Sequence, residues 1–520
     1  MPDAPIENVP KLLRSRAADR SRKTLLIGQS EGRAFTYQEF EQSVNRTANL
    51  LVSLGVRKGA RVGLFLANRV EYLVFYFACF EIGAWAGPIN ALLRAAEVEF
   101  LLQNSGALVV VTEPALLPVL SDASKSCGLR HIIVVGDQVA AGESSSPAAL
   151  IGYDEVIANF PDELESVDIS EDDEAVIIYT SGTTGKPKGV LLTHGNLLAN
   201  AKQISEWLRL TEQDRSMIVM PLFHVNALMT TAMATIWAGG SIVLASRFSA
   251  SRHWNVVSQY GVTYFGSVAT MLSMLNNTYP EGLPDKAVVA GLRFALCGSA
   301  PVPVEIIKRF QELFSCPVIE GYGLTESTCR STFNPVADRR QGSVGMPIGN
   351  EVKVFDDSDS ELSAGQIGEI VLRGPNIMKG YYRNPEATEE AFRSGWFHTG
   401  DLGYRDRDGF FYIVDRKSEM IIRGGENIYP REIDEVLYQH PKVRDAATIG
   451  LPDPLYGEEV KSFVVLREEE TATEGELINF CLERLAPFKC PKSIEFVEDI
   501  PKGPTGKLLK RELLARVRSG

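Results

Sequence analysis

Cysteine is sparse and never occurs in the spacing that metal or redox chemistry needs. The 520 residues contain seven: Cys79, Cys127, Cys297, Cys316, Cys329, Cys481 and Cys490, with no C-x-x-C among them. A zinc ribbon and a thioredoxin-like site are therefore excluded, and reduced, mostly buried thiols are expected. A basic excess is missing too. Lys plus Arg number 53 against 66 Asp plus Glu, for a net charge of −13, which speaks against a nucleic-acid partner. Any anionic ligand has to be held by local donors against the field of the whole molecule. No apolar core follows the opening MPDAPIENVPKLLRSR, so no secretory signal is expected. The closing RVRSG is neither a peroxisomal address nor a prenylation box, and no internal repeat is visible.

What is present is ordinary globular material: 45% hydrophobic, 23% charged and 9% aromatic residues. That composition rules out disorder, collagen and coiled coil, and the length implies two to four compact units. One stretch challenges a soluble reading, because no charge occurs between Arg215 and Arg247, long enough to suggest a membrane span. Pro221, His224, Asn226 and Gly239-Gly240 break it up. The pattern predicts a strand over Met217–Met220, a helix over about Asn226–Ala238 and a strand over Ser241–Leu244. No membrane span and a cytoplasmic location are expected.

Short β-branched runs alternate with helical patterns through most of the chain. Val62–Phe65, Leu108–Val111, His131–Val135, Val176–Ile178 and Phe294–Cys297 read as strands, Tyr37–Leu54 and Glu71–Ile82 as helices. The alternation implies an α/β fold with substantially parallel sheets. From about Ile348 the texture changes to strands joined by turns: Val352–Phe355, Gly368–Arg373 and Gly409–Val414. A further α/β piece follows from about Glu432. Gln138–Pro147 and Ser166–Glu174 read as linkers. Asp356–Gly365 carries acidic residues at calcium-loop spacing but lacks the sixth-position glycine and closing glutamate of such a loop, so a hairpin turn is expected.

The most informative segment is Tyr179–Gly189, YTSGTTGKPKG, which follows the apolar run Ala175–Ile178. A strand ending in Ser, Thr, Gly and Lys offers backbone N–H groups, hydroxyls and an ammonium to a polyphosphate. Gly182 and Gly185 lie too close together for a Walker A loop, and Lys186 is followed by proline. The string resembles the signature loop of the adenylate-forming superfamily, which contains acyl-CoA synthetases, peptide-synthetase adenylation domains and beetle-type luciferases. Other strings resemble that family in the same order: GSAP at Gly298–Pro301, EGYGLTES at Glu320–Ser327, GWFHTGD at Gly395–Asp401, Asp415-Arg416, IIRGGENIYP at Ile421–Pro430 and PTGKL at Pro504–Leu508. Taken singly, Asp401 reads as a turn aspartate, Lys507 as a solvated charge and His224 as a core histidine. The resemblance covers roughly Phe35 to Lys510.

It implies a large N-terminal domain of layered α/β subdomains plus a small β-barrel-like part over 1–415, a hinge at 416–418 and a mobile α+β domain over 419–520. Ser418 would be the pivot, at a place where many relatives have Asp or Lys. It implies an ATP-dependent carboxylic acid:CoA ligase working through an acyl-adenylate. Lys507, Thr325, Glu326 and His224 would carry catalysis. Thr180, Ser181, Gly182, Thr183, Thr184, Gly185 and Lys186 would hold the phosphates. Gly298, Ser299, Ala300, Glu320, Gly321, Tyr322 and Gly323 would surround adenine, with Asp401, Ile413 and Arg416 at the ribose. Thr184 and Glu326 would bind Mg²⁺ arriving with ATP. Phe223, His224, Val225, Ser299 and Gly323 would line the acid site, and Arg423, Gly424, Gly425, Glu426 and Lys489 the CoA site. Because the chain stops about ten residues after Lys510 with no carrier domain, CoA is favoured as acceptor over a carrier protein. A noncatalytic nucleotide sensor is a third reading, as is a monomer or homodimer for the assembly. The acid itself looks short, aryl or carnitine-like.

Overall fold

The computed structural model describes residues 6–136, 146–180, 187–299, 302–503 and 508–519. Two large sheets dominate. In the first, nine strands run in the spatial order Met346–Pro347, Thr332–Phe333, Val318–Tyr322, Phe294–Cys297, Tyr264–Ser267, Arg215–Ile218, Ser241–Leu244, Thr24–Gly28 and Arg33–Thr36. The central six are mutually parallel and only the edges are antiparallel. Every residue of Phe294–Cys297, Tyr264–Ser267 and Ser241–Leu244 is buried, as expected for parallel strands covered on both faces.

The second sheet has eight strands, Gly380–Tyr381, Lys188–Thr193, Glu174–Thr180, Trp85–Pro88, Arg61–Phe65, Val109–Thr112, His131–Val134 and Ala149–Gly152. Glu174–Thr180 and Lys188–Thr193 form an antiparallel pair with Thr180 opposite Lys188. The helix Val70–Glu81 is buried at all twelve positions, which explains its lack of a polar face. Its two acids are paired with arginines: Glu71 with Arg33 at 2.5 Å and with Arg69, which caps the helix start, at 2.9 Å, and Glu81 with Arg14.

The expected strands and helices appear within one or two residues. The uncharged stretch becomes a strand at Arg215–Ile218, a helical run ending at Ala238 and a strand at Ser241–Leu244. Ala227–Met233 is wound as a π-helix. There the hydroxyls of Thr230 and Thr231 donate back to the carbonyls of Asn226 and Ala227, a local competition with the regular ladder that pattern reading does not register. Among the described residues no helix is long and apolar enough to cross a membrane. Six cysteines are buried, Cys127 is half-buried, and none is paired.

A smaller antiparallel sheet follows, built from Glu351–Phe355, Gly368–Arg373, Trp396–Arg405, Phe392–Arg393 and Phe411–Arg416. Asp356–Gly365 is its hairpin turn, with the Asp356 carboxylate accepting from the N–H groups of Ser358 and Ser360. The C-terminal domain is an α+β unit. Ile421–Arg423, Glu426–Ile428, Val443–Asp453, Gly457–Leu466 and Ser493–Phe496 form its sheet, and Pro430–Tyr438, Glu474–Leu482 and Lys510–Ser519 its helices.

Burial pushes the Glu71 carboxyl up, but Arg69 and Arg33 outweigh it and hold the group below its ordinary value. A depressed carboxyl stabilises above the unfolded value and loses that contribution as pH falls through the folded one. Glu71→Gln should therefore cost about 2–3 kcal/mol at pH 7, and the gap to wild type should close below about pH 4. Urea unfolding across that range checks it; a gap independent of pH contradicts the ion pair.

Candidate active site

The carboxyl ends of the parallel strands in the nine-stranded sheet open into one cavity of about 1530 Å³. This is where an open α/β sheet places its ligands, because the loops leaving those ends diverge. Val318–Tyr322 delivers Tyr322, Phe294–Cys297 delivers Gly298 and Ser299, and the chain after Arg215–Ile218 delivers Phe223, His224 and Val225. Glu320, Gly321, Gly323, Thr325, Glu326, Asp401, Ile413 and Arg416 also border it, as does Thr180 from the eight-stranded sheet. Fifteen positions from distant parts of the sequence would otherwise have no reason to meet. Gly323 is required by space: a Cβ there would lie 2.0 Å from the Cys329 carbonyl oxygen.

Asp401 is buried and uses both oxygens. Oδ2 accepts from the Tyr322 hydroxyl at 2.6 Å and Oδ1 lies 3.0 Å from Arg416 Nε. Burial and the neighbouring Asp401 push the Tyr322 phenol well up, while Asp401 above all holds the Arg416 guanidinium protonated. Arg416 closes the strand Phe411–Arg416, and the turn Lys417–Glu419 that follows exposes Ser418.

Glu326 sits in the short 3₁₀ turn Thr325–Ser327. Its Oε1 accepts from the Tyr381 hydroxyl at 3.0 Å, and the Lys188 ammonium lies 5.0 Å over the Tyr381 ring. Tyr381 belongs to the edge strand paired with Lys188–Thr193. The flank of the glycine-rich loop is thereby tied to the glutamate. Desolvation raises the Glu326 carboxyl, against its own backbone N–H and Tyr381. Ser181, Gly182, Thr183, Thr184, Gly185, Lys186, Ala300 and Lys507 lie outside the described residues.

The His224 ring lies 5.0 Å from that of Phe223, and desolvation pushes its imidazole down to about 4. It is therefore neutral near pH 7, a hydrogen-bonding and shape-defining group rather than a cation. Ser299 holds a left-handed backbone (φ +71), a conformation that costs a non-glycine residue and clusters at functional sites. Its hydroxyl accepts from Asn226 Nδ2 at 2.9 Å, and Asn226 Oδ1 in turn accepts from Thr230 at 2.8 Å.

From the C-terminal domain, Gly503 and Leu508 border the cavity, so both flanks of the Pro504–Lys507 segment face it. The bridge between Lys502 and Leu508 draws those flanks together. The residues expected at CoA lie elsewhere. Arg423 pairs with Glu459 at 2.6 Å and stacks 4.4 Å over Tyr456. Gly424 and Gly425 form a turn with positive φ before Glu426, and Lys489 is bound to Glu432 at 2.7 Å.

Sequence reading missed Asn226, Lys188, Tyr381 and Arg330, all of which border the cavity. Asn226 and Lys188 lay inside strings already singled out. Tyr381 carried no signal, because its role depends on strand pairing across 190 residues of chain.

A neutral His224 predicts that the profile of kcat/KM against pH between about 5.5 and 8 contains no step from this imidazole. Wild type and His224→Gln should share the same acid limb whatever their absolute rates. A limb near the ordinary histidine value of about 6.5 that vanishes in the variant contradicts the desolvated assignment.

Comparison with known proteins agrees with this geometry. A family model described as "AMP-binding enzyme" matches residues 13–382, and one for the "AMP-binding enzyme C-terminal domain" matches residues 432–507. Sulfoacetate–CoA ligase of Cupriavidus necator is 37% identical over 511 residues, covering 98% of this chain and 97% of its own. The crystal structure of ATP-bound MatB from Rhodopseudomonas palustris superposes with a TM-score of 0.90 at 30% identity, covering 98% of this chain and 99% of that one. An anthranilate CoA ligase, AuaEII, in complex with anthranoyl-AMP gives 0.91 at 29% identity, covering 99% and 98%. The parallel-strand cavity, the motifs around it and these matches together place the chain in the AMP-binding enzyme family of the adenylate-forming superfamily.

Proposed function

We propose that this AMP-forming acid–CoA ligase activates a small carboxylic acid in the cavity at the strand ends, using the residues described there. The observation that carries the assignment is convergence. The Tyr322–Asp401–Arg416 cluster, Glu326 and both flanks of the Lys507 segment open onto one space. ATP and CoA are substrates, and the reaction passes through an acyl-adenylate.

In the first half-reaction a carboxylate oxygen attacks the α-phosphorus of ATP; the new P–O bond forms as the bond to pyrophosphate breaks. Positioning and charge stabilisation are the main requirements. Lys507 bridges the carboxylate and the α-phosphate oxygens. Thr180, Ser181, Thr183, Thr184 and Lys186 hold the departing phosphates, Tyr322 lies against adenine and Asp401 with Arg416 orients the ribose. Magnesium bound to the ATP phosphates would be held by Glu326 and Thr184. Among the described residues no three His, Cys, Asp or Glu groups converge, which fits a cation held largely by phosphate and water. Its charge would neutralise the leaving pyrophosphate.

In the second half-reaction the CoA sulfur attacks the acyl carbon, the C–O bond to AMP breaks and the thiol proton is released. We assign 1–415 to the ATP- and acid-binding domain, 416–418 to the hinge and 419–520 to the domain that turns between steps. The exposed Ser418 turn supports the pivot. The Gly424–Gly425 turn and Lys489 stand away from the cavity that Gly503 and Leu508 border, and turning the domain would exchange these faces. Sulfoacetate and anthranilate, in the names of the relatives, are both small acids bearing a second polar group.

Lys507→Ala should lower pyrophosphate release at least about 100-fold, as expected for loss of a charge acting at the transition state. Thioester formation from supplied acyl-AMP should persist. Equal loss of both half-reactions contradicts the alternation. A pyrophosphate-release screen over small acids, with and without CoA, tests the acceptor: release without CoA consumption points to a carrier protein, and no release with any acid defeats the proposal.

A further inference from the structure

Arg330 has no role in the reaction as derived so far, yet it is the most unusual charge in the molecule. It follows EGYGLTES by three residues, borders the cavity and is only 2% exposed. Its backbone is fixed by buried amides: the N–H donates to Asn200 Oδ1 at 3.1 Å, and the carbonyl accepts from Asn200 Nδ2 at 2.7 Å and Asn376 Nδ2 at 3.3 Å. The guanidinium folds back against the strand ends. Nη1 donates to the Gly321 carbonyl at 3.0 Å, and the group lies 5.3 Å over the Phe333 ring. A Cβ on Gly298 would meet Nη1 at 2.4 Å, so the guanidinium lies directly against the turn that leads into Ser299.

Among the described residues nothing neutralises it. Among the described residues Nε and Nη2 have no hydrogen-bond partner and no carboxylate forms an ion pair with Arg330. The nearest candidate by strand pairing is Glu320, opposite Cys297. Burial holds Glu320 up at about 8, and the charges acting on it are those of Arg431 and Glu435. A guanidinium cannot escape by losing its proton, and an isolated buried charge is among the costliest features a fold can hold. Fastening the Gly321 carbonyl does not account for it, since one neutral donor would do that.

We propose that Arg330 is a specificity-determining residue that pairs with a second anionic group, a sulfonate or second carboxylate, on the acid being activated. The proposal rests on the ligase reading of this cavity and deepens it. The substrate class becomes small acids carrying an anion at each end. One end goes to the α-phosphorus; the other goes to the Arg330 guanidinium, whose Nε and Nη2, covered in this structure, are uncovered as the anion seats. Buried amides hold the residue so that little entropy is lost when the anion arrives, and a planar fork suits an oxyanion.

The test compares matched acids. Malonate, succinate and sulfoacetate are set against acetate, propionate and butyrate in ATP–pyrophosphate exchange, in wild type, Arg330→Gln and Arg330→Lys. The wild type should favour dianionic acids, mainly through KM. Arg330→Gln should lower the ratio of kcat/KM for dianionic over monoanionic acids by about 30-fold, the scale of one charged hydrogen-bonded contact. Arg330→Lys should restore part of it. A wild type indifferent to the second anion overturns the proposal, as does a variant that slows all acids equally. A structural arginine predicts that equal loss, with a lowered Tm in both variants. Thermal shift with each acid and no ATP reads the same contact without turnover. If no acid releases pyrophosphate, the ligase reading fails; stabilisation by dianions that is lost in Arg330→Gln would still sustain the anion site. Its absence would remove that site as well.

Discussion

Three separate pieces of chain have to agree at Asp401. Tyr322 ends a strand of the nine-stranded sheet, Asp401 lies within Trp396–Arg405 of the smaller sheet, and Arg416 is the last strand residue before the turn into the C-terminal domain. A single carboxylate accepts from both donors, at 2.6 and 3.0 Å, while its own N–H donates to Thr399 Oγ1 at 3.0 Å. Charge-assisted bonds of this length in a poorly solvated place weaken steeply with displacement. The contact therefore fixes where the two sheets meet and where the C-terminal domain departs.

The electrostatics of that cavity differ from what a net charge of −13 suggests. Several acids border it, yet burial is the leading influence on each of Glu320, Glu326, Asp434 and Glu435, and it raises every one, Glu320 to about 8 and Asp434 to about 7. A carboxyl whose charged form burial disfavours repels a polyphosphate less than a solvated one does. Arg416 is held charged by Asp401, and Lys188 stands over the Tyr381 ring. An acidic protein thus presents a site less hostile to anions than its composition implies, with Lys188, Arg330, Arg416 and Arg431 among the cations that border it.

Much of the fold was legible because parallel strands buried on both faces must be continuously apolar, as Phe294–Cys297 and Ser241–Leu244 are. Such runs stand out between helices. The π-wound Ala227–Met233 was not legible, since threonine hydroxyls decide it and they look the same in any buried helix. Local strings exposed the candidate site wherever chemistry is carried by neighbours in sequence, as in Tyr322, Thr325 and Glu326. They failed where it is carried by pairing. Tyr381 reaches Glu326 only because Gly380–Tyr381 adds to the edge beside Lys188–Thr193. Arg330 is legible as a charge, but its isolation is a property of what surrounds it, and no string states what is missing nearby.

The tail of the chain shows how placement changes the meaning of a residue. In sequence, Lys502, Lys507 and Lys510 resemble one basic run. In the structure Lys502 binds Asp445, while Lys510 is drawn between Glu419 at 3.4 Å and Asp434 at 4.0 Å. Both of these lysines are consumed in holding the domain together, and Lys510 does so from the helix that begins with it to the turn beside Ser418. The bridge between Lys502 and Leu508 pairs the two flanks directly. The residues on either side of Pro504–Lys507 are thus tied to the C-terminal sheet and to the turn after Arg416. In the proposed reaction that anchoring would let Lys507 act as a placed charge that is withdrawn as the C-terminal domain turns.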